Sequence, residues 1–334
     1  MNVRPSRRGW LRLALGACAA VGVGTGANAA APGLNWRERS LLGFGTTLWL
    51  RAAHAGAATA EAGLDAAVAA IRHVEHQMSL FDPDSALCRL NREGVLHDPH
   101  PDLVQVLTLA QRVAAASAGA FDVTVQPLWR AWADAHREGR LPTSDELQRA
   151  RARVGWRGLE VSAQRIRFAR PGMALTLNGI AQGFAADLAS ARLQAHGIGN
   201  ALLNTGEWMP LGAAPKAQPW RLGVADPRAA DHVLATLTAD GRAVACSSDD
   251  KMTFSSDFRH HHILDPRIGD SPTALASVVV AAPSCALADA LTKVMFMGTV
   301  ADALALARHW KVDVLAVDKQ GHWAASPQLH AAAA

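Results

Sequence analysis

Acidic, basic and hydroxyl side chains lie together in one short apolar segment of the chain. The run PSCALADALTKVMFMG, residues 283–298, is almost entirely small or apolar, yet Asp289 stands in its middle, with Thr292 and Lys293 just after it. An unpaired buried carboxylate is costly, so Asp289 needs either a partner charge or a metal ion. At helical spacing Lys293 can form a salt bridge with Asp289, whereas Asp289 and Thr292 can offer two oxygen ligands to Mg²⁺. The local sequence allows both interpretations.

A glycine-containing turn is a second candidate for chemistry. In LTLNGIAQGFAAD, residues 175–187, we predict that Asn178-Gly179 ends a strand and that Gly183 opens a helix running towards His196. The start of a helix presents free N–H groups and a favourable dipole to a phosphate. The pattern is neither GxGxxG nor a P-loop, so a tight structural turn is the alternative.

Three consecutive histidines form the third candidate, in HHHILDPRIG, residues 260–269. On a predicted strand, His260 and His262 share one face and His261 points the other way, so the three cannot jointly bind a metal ion. The turn at Asp265-Pro266-Arg267 can fix their positions. Solvated strand histidines are the alternative to a catalytic group.

The elements that would position these residues follow from periodicity and turn signals. Alternating apolar residues predict a strand pair around Leu42–Leu50, and helical spacing predicts a helix over 60–81 that stops at Asp82-Pro83-Asp84-Ser85. Further helices are predicted over 103–118, 133–153 (polar and exposed), 283–298 and 300–310, hairpins over 159–169 and 312–323, and strands over 220–227, 232–239, 242–248, 259–264 and 275–282. Strands and helices mix without regular alternation, which indicates an α+β fold with mostly antiparallel sheets and packed helices.

Bulk composition limits the possible functions. The chain has 334 residues, 50% hydrophobic and 19% charged, which suits one large domain or two intimately packed α+β subdomains over 30–334. The formal charge of +4 arises from four arginines within the first twelve residues, so it falls to zero if that leader is removed. A nucleic-acid partner therefore has no electrostatic support.

The first 29 residues have the pattern of a signal peptide. A basic start precedes a short apolar stretch and an Ala27-Asn28-Ala29 cleavage site, and Ser6-Arg7-Arg8 begins a motif typical of twin-arginine export. We expect a periplasmic protein with no membrane span, although an ordinary secretion signal and a lipidated Cys18 are both compatible with the same residues.

Eight stretches, in order, resemble the FAD:protein FMN transferase (ApbE) family across residues 78–321. They are MSLFDPDSALCRLN, GAFDVTVQPLW, LNGIAQGFAAD, LLNTGEWMPLG, WRLGVADPR, RAVACSSDDKMTF, HHILDPRIG and ALADALTK. The resemblance implies a T-fold-like α+β architecture and a Mg²⁺-dependent enzyme. Its substrate would be FAD, whose FMN half passes to a Thr or Ser hydroxyl of an acceptor protein with release of AMP. It also implies an acceptor that is a membrane-associated electron-transfer subunit.

The resemblance also implies roles for individual residues. It makes His262 the group that helps the acceptor hydroxyl attack and Asp289 the metal-binding acid, with the Ala181 carbonyl as a second metal ligand. The residues implied at the flavin and nucleotide site, together with those of the phosphate turn, are Met78, Phe81, Asp122, Thr124, Asn178, Gly179, Gln182 and Glu207. A phosphoanhydride attacked by an alcohol needs charge neutralisation, alignment and a base, which these residue types can supply.

Two positions depart from the family's usual pattern: one loses a positive charge and the other gains one. Gln182 stands where a lysine is usual, and Lys293 stands where a threonine metal ligand is usual. Either the Lys293 ammonium partly replaces a cation or contacts the pyrophosphate as part of the cofactor site, with Thr292 as a shifted metal ligand, or Lys293 merely pairs with Asp289. The departures leave two other functions open: a non-catalytic periplasmic FAD-binding or flavin-delivery assembly factor, and an exported metal- or nucleotide-binding domain without flavin.

Overall fold

The computed structural model describes residues 18–19 and 33–334, so the predicted signal sequence lies almost wholly outside the described residues. The described strands are β1 Cys18–Ala19, β2 Asn35–Gly43, β3 Thr46–His54, β4 Val95–His97, β5 Leu159–Val161, β6 Arg165–Phe168, β7 Asn200–Asn204, β8 Trp208–Leu211, β9 Arg221–Asp226, β10 Ala229–Thr238, β11 Ala243–Ser248, β12 Leu275–Ala282, β13 Asp313–Asp318, β14 Trp323–Ala325 and β15 Ala331–Ala333. The α-helices are α1 Ala57–Met78, α2 Ala86–Glu93, α3 Pro101–Ala116, α4 Gln126–Arg137, α5 Ser144–Arg151, α6 Ala181–Ala195, α7 Cys285–Phe296 and α8 Val300–Trp310. None of these helices is long and apolar enough to cross a membrane.

An eight-stranded sheet forms the frame, with strand order β14-β13-β12-β11-β8-β7-β3-β2. A four-stranded sheet (β1-β9-β10-β15) and a three-stranded sheet (β4-β6-β5) accompany it, and every strand pair in the described residues is antiparallel. The predicted α+β class with mostly antiparallel sheets is confirmed.

The central strand β12 shows how the layers are arranged. Its sequence LASVVVAA has no polar face, and all eight residues are buried. Val278 and Val280 belong to a core shared with α1, α6 and α7, whereas Val279 belongs to a second core shared with Leu222 and Val224 of the smaller sheet. A strand covered on both faces is expected to be a continuous apolar run. The large sheet therefore lies between helices on one face and the four-stranded sheet on the other.

Helices α6 and α7 approach each other closely, and this contact positions the acid of the apolar run. A Cβ atom on Gly183 would overlap the Cys285 carbonyl, so only glycine fits there. Asp187 of α6 accepts hydrogen bonds from the Ser284 hydroxyl and from the first N–H groups of α7, at 2.7–3.0 Å. The two helices thus meet at their N-terminal halves, beside Asp289.

Replacing Gly183 with alanine should lower the free energy of unfolding by about 1–3 kcal/mol, because the added methyl forces α6 and α7 apart. Urea unfolding monitored by circular dichroism measures this change. Gly199→Ala is the matched control, since a Cβ atom there meets nothing within 4 Å. Equal stability of the two variants would contradict the close contact.

Three sequence-based assignments of secondary structure are wrong. The predicted helix over 133–153 is two helices, because Gly139 takes a positive φ of 73° after α4 and Thr143 caps α5 in a capping box with Glu146. It is also less exposed than expected, since Ala133 and Ala135 of α4 and Ala150 of α5 are buried.

The other two errors concern strands. Residues 259–264 form only an isolated bridge between His261 and Thr253, because the His261 N–H donates to the Ser271 hydroxyl at 2.8 Å. The predicted strand ending at Asn178, just before α6, is absent, because the Asn91 side-chain amide bonds both the N–H and the C=O of Leu175, at 2.6 and 2.9 Å, in place of a neighbouring strand.

Candidate functional site

A cavity of about 1000 Å³ opens between α4, the β2–β3 turn, the start of α6 and the loop that follows β11. Its apolar wall includes Phe44, Phe81, Phe121 and Trp129. Its polar wall includes Gln182, Glu207, Ser247, Lys251, His262 and Lys293. Ligand sites commonly combine apolar walls with a few convergent polar groups in a volume of about 300–1,000 Å³. This cavity is therefore large enough for a bulky organic ligand.

Phe81 presents an aromatic face to the cavity. Its side chain is 43% exposed, and its ring lies against Gly45, where a Cβ atom would be only 3.2 Å from the ring. The β2–β3 turn is held in place because the Phe44 N–H donates to the Glu75 carboxylate at 2.8 Å. A ring fixed in this way offers a flat surface on which a heteroaromatic group can stack.

Asp289 is fully buried and has two partners. Lys293 Nζ donates to its Oδ1 at 2.5 Å, and the Gly183 N–H of α6 lies 3.4 Å from its Oδ2. The salt bridge that the i, i+4 spacing allowed is therefore present. The Asp289 carboxylate also lies at the start of α6. It therefore already contacts one of the N–H groups that were predicted to bind a phosphate.

Glu207 completes a buried charged cluster with Asp289 and Lys293. It accepts a hydrogen bond from the Cys246 N–H at 2.9 Å. Burial raises the pKa of Glu207 well above its usual range, and the nearby Asp289 carboxylate raises it further. Burial also raises the pKa of Asp289, against the opposing effect of Lys293. Although burial lowers the pKa of Lys293, the two carboxylates bring it above its ordinary value.

The donor set does not fit Mg²⁺ as the resemblance implies. The Thr292 hydroxyl donates to the Asp289 carbonyl at 2.6 Å and also bonds the Ser247 hydroxyl at 2.7 Å. One Asp289 carboxylate oxygen already holds an ammonium. Mg²⁺ requires oxygen ligands at about 2.0–2.1 Å in near-octahedral geometry. Ala181, Asp289 and Thr292 therefore do not fit this ion while Lys293 keeps its position, and magnesium binding stays a prediction.

Three clustered groups that could bind a metal do occur in the described residues, but outside the cavity. They are His73 on α1, with His100 and Asp102 at the start of α3. His73 Nε2 already lies 3.0 Å from the Asp102 carboxylate, and His100 Nδ1 accepts from the Asp102 N–H at 3.2 Å.

His262 faces the cavity with one ring nitrogen fixed. Its Nδ1 lies 3.2 Å from the Met252 carbonyl, so Nδ1 carries the proton that it donates there. The Nε2 lone pair is then left towards the cavity, with no hydrogen-bond partner in the described part of the chain. Burial, with a smaller effect from Lys293, lowers the pKa of His262 to about 4. The imidazole is therefore neutral, and able to accept a proton, throughout the physiological range.

His261 points the opposite way, as the sequence predicted for a neighbour of His262. Its ring is fully buried, its Nε2 donates to the Pro272 carbonyl at 3.1 Å, and burial lowers its pKa to about 3. His260 packs on Trp132 and bonds Asp270 at 2.8 Å. The three histidines thus face three different environments, so the prediction that His260 and His262 share one face is wrong.

Acidification should destabilise the fold through His261 and His262. The unfolded chain takes up protons at these residues near pH 6.5, whereas the folded state resists protonation down to about pH 4 and about pH 3. The stabilisation is complete above pH 6.5 and is lost as the pH falls through this window. The free energy of unfolding should drop by about 2–4 kcal/mol between pH 7 and pH 5.

Urea unfolding at the two pH values measures this drop. His262→Asn should remove about half of the pH dependence, since each histidine contributes a similar share. His309→Asn, which replaces an exposed histidine of α8, should leave the dependence unchanged. A parent protein with equal stability at both pH values would contradict the lowered pKa values.

Hydrogen bonds of Asp122 and Thr124 hold two chain segments together beside the cavity. The Asp122 carboxylate accepts from the Thr124 N–H, the Thr124 hydroxyl and the Trp156 N–H, at 2.7–2.9 Å. The Gly155 N–H donates to Thr124 Oγ1 at 2.7 Å. These bonds fix the segment that carries Phe121 rather than leaving polar groups for a ligand.

Nine predicted site residues line the cavity. They are Phe81, Asp122, Asn178, Gly179, Ala181, Gln182, Glu207, His262 and Lys293. Four others are buried outside its lining: Met78, Thr124, Asp289 and Thr292. Asp289 reaches the cavity only through Lys293.

The sequence interpretation missed one side of the cavity, which α4 forms. Gln126, Arg130, Ala133 and Arg137 line it at helical spacing. Arg130 and Arg137 are exposed, and Arg137 pairs with Asp134. The seven-residue spacing of these arginines could have indicated a shared face.

The loop after β11, which carries Lys251 and His262, is anchored at its start by Asp249. This fully buried carboxylate accepts two bonds from Arg228, at 2.6 and 2.8 Å, and one from Lys319 at 2.5 Å. Arg228 also lies over the Phe258 ring, 4.2 Å from its centroid. Trp132 supports the far end of the loop by donating to the Gly269 carbonyl at 3.0 Å.

Fold and cavity together define an α+β ligand-binding protein whose site combines aromatic rings, a buried lysine–carboxylate cluster and a neutral imidazole. The chain belongs to the ApbE family, whose family model matches residues 44–316. It is 32% identical to the FAD:protein FMN transferase of Vibrio cholerae over 238 residues, which covers 68% of this chain and 71% of the relative. It is 28% identical to the enzyme of the same name from Haemophilus influenzae over 254 residues, with 72% and 73% covered.

Solved structures give the same result. The flavin transferase ApbE from Vibrio cholerae superposes with a TM-score of 0.76 at 25% identity, covering 88% of this chain and 97% of that one. The flavinyl transferase ApbE from Pseudomonas stutzeri gives 0.75 at 26% identity, covering 88% and 94%.

Proposed function

We propose that this chain is an FAD:protein FMN transferase. It would move the FMN half of FAD onto a Thr or Ser hydroxyl of an acceptor protein and release AMP. The observation that carries the proposal is the opening of Lys293 and His262 into one cavity with an aromatic wall. The names of the relatives support the same activity.

The cavity walls suit the two halves of such a substrate. Phe81 and Phe121 provide flat apolar surfaces on which an isoalloxazine or adenine ring can stack. Lys293 and Lys251 line the same cavity and can neutralise a diphosphate. Lys251 bonds Asp250 at 2.8 Å, so part of its charge is already balanced.

His262 would act as the general base. Its Nε2 accepts the proton of the acceptor hydroxyl as the oxygen attacks the phosphorus of the FMN half. The P–O bond to the AMP half breaks, and AMP leaves with the bridging oxygen. The Met252 carbonyl holds Nδ1–H, which orients the ring throughout this step. A positioned base of this kind typically contributes about 10²–10⁴ in rate.

Asp289 would act by positioning. It holds the Lys293 ammonium at the cavity wall and bonds the start of α6, so it fixes the charge that faces the diphosphate. Gln182, which also lines the cavity, is fixed by a hydrogen bond to the Thr205 carbonyl at 3.0 Å. Preorganised charge of this kind is commonly the largest contribution to catalysis.

We also propose that the protein is exported and acts in the periplasm on a membrane-associated electron-transfer subunit. The twin-arginine pattern and the Ala27-Asn28-Ala29 site support export. Cell fractionation with N-terminal sequencing tests it. A mature N-terminus at Ala30 in the periplasmic fraction is expected, whereas an intact leader in the cytoplasm would contradict export.

The activity is tested by mixing the purified protein with FAD and an acceptor domain that carries the target threonine. A fluorescent acceptor band on a denaturing gel, with AMP released in equal amount, is the expected result. Bound FAD without either product would instead support the flavin-delivery alternative. Absence of FAD binding would contradict both the transferase function and the flavin-delivery alternative.

A further inference from the structure

We infer that Lys293 supplies the positive charge that a divalent cation would otherwise provide beside Asp289, so that FAD binds and reacts without a metal ion at this carboxylate. The inference rests on the proposed transferase function. It concerns how this chain neutralises a diphosphate, and its observations come from the cluster around Asp289.

The first observation is the position of the ammonium. Lys293 Nζ lies 2.5 Å from Asp289 Oδ1, where a metal ion on that oxygen would have to approach. An ammonium and a divalent cation repel each other strongly in a buried site, so a metal ion on Oδ1 would compete with the ammonium. Binding a metal there requires Lys293 to leave.

The second observation is that the structure has a slot for the lysine. A Cβ atom on Gly179 would lie 3.1 Å from Lys293 Cε and 3.5 Å from its Cδ. The same atom would lie 3.5 Å from the Phe121 ring. The lysine stem therefore fills the space that the missing side chain of residue 179 leaves.

The third observation is that the Thr292 hydroxyl is already hydrogen-bonded. It is therefore not available as the metal ligand that a threonine at position 293 would supply. The Thr292 hydroxyl donates to the Asp289 carbonyl and pairs with Ser247, and the side chain is fully buried. A metal would have to break one of these bonds before Thr292 could ligate it.

The fourth observation is that Lys293 both pairs with the buried carboxylate and lines the cavity. Lys293 is 21% exposed and lines the cavity, while Asp289 behind it is fully buried. An ammonium has three N–H donors, and the carboxylate occupies one of them. The remaining donors can bond a phosphate oxygen, which combines charge neutralisation with a fixed direction.

The inference is tested by FAD binding and by binding of Mn²⁺, a paramagnetic substitute for Mg²⁺. FAD affinity is measured by flavin fluorescence with excess EDTA and with excess Mg²⁺, and Mn²⁺ binding is measured by electron paramagnetic resonance with and without FAD. In the parent protein, we expect FAD affinities that agree within about threefold in the two buffers and no Mn²⁺ bound at the cavity.

Lys293→Thr should behave differently. With EDTA its FAD affinity should fall by about tenfold or more, and Mg²⁺ should restore it. Mn²⁺ should then bind at about one ion per chain when FAD is present. Lys251→Thr is the matched control: the same substitution at another cavity lysine should weaken FAD binding equally in both buffers and create no Mn²⁺ site.

A second variant is needed as a control for stability, because Lys293→Thr leaves Asp289 buried without its partner and so destabilises the fold. Asp289→Asn/Lys293→Met removes both charges and keeps both shapes. It should fold, bind no Mn²⁺ and bind FAD weakly in either buffer.

Two results would overturn the inference: stoichiometric Mn²⁺ binding by the parent protein with FAD, or FAD binding by the parent that requires Mg²⁺. Both leave the proposed function intact. A parent protein that binds no FAD in either buffer would overturn the function and the inference together.

Discussion

Replacing His262 with alanine should slow FMN transfer by about 10²–10⁴-fold while the affinity for FAD stays within about threefold of the parent value. The reason is that the Nε2 lone pair accepts the acceptor's proton only during the reaction. The ring contributes one side chain among many to the cavity wall, so its loss should change binding little. Single-turnover transfer to the acceptor and flavin fluorescence measure the two quantities separately.

The pH profile gives an independent check on the role of His262. Its pKa of about 4 keeps the imidazole neutral above that value. The transfer rate of the parent should therefore be nearly constant from about pH 5.5 to pH 8 and should decline towards pH 4. A decline centred near pH 6.5 would indicate a base in an ordinary, solvated environment.

His260→Ala is the matched control, because it removes a histidine of the same loop that packs on Trp132 and does not line the cavity. Its transfer rate should fall by less than about tenfold. If both variants lost the same activity, the loss would come from the loop's conformation and not from a base. An active His262→Ala protein would remove the assignment outright.

Replacing Asp289 with alanine should lower the free energy of unfolding by about 3–5 kcal/mol, because it leaves the Lys293 ammonium buried without its carboxylate. FMN transfer should be lost as well, since nothing then holds that ammonium at the cavity wall. Urea unfolding and the gel assay measure the two effects.

The double variant Asp289→Ala/Lys293→Met distinguishes an ion pair from simple packing. Since it removes both charges, most of the lost stability should return. The exposed Glu160–Arg167 pair is the control, and Glu160→Ala should change the free energy of unfolding far less than Asp289→Ala does. A double variant as unstable as the single one would mean that the cluster's charges are not coupled.

The fold was largely predictable because strong local patterns agree with the tertiary structure. The apolar run of β12, the helical spacing of α1 and the small, apolar residues of α7 each indicated the observed element. The two errors about strands came where side chains replaced backbone partners. Asn91 bonds Leu175 where a strand was expected, and no local pattern near residue 175 could show a partner 84 positions away.

The candidate site was predictable in part for a similar reason. The motifs identified His262, Glu207 and Lys293, which do line one cavity. Sequence spacing allowed Asp289 to be either a metal ligand or the partner of Lys293, and only the three-dimensional structure shows the 2.5 Å contact. Arg130 was missed because its significance depends on how α4 lies over the cavity, which its own sequence does not determine.

A crystal structure of the protein with FAD tests the central claim most directly. The account predicts the diphosphate beside the Lys293 ammonium, within hydrogen-bond distance, and the phosphorus of the FMN half within reach of His262 Nε2. FAD bound in another cleft, or in this cavity with its diphosphate remote from Lys293, would contradict the account.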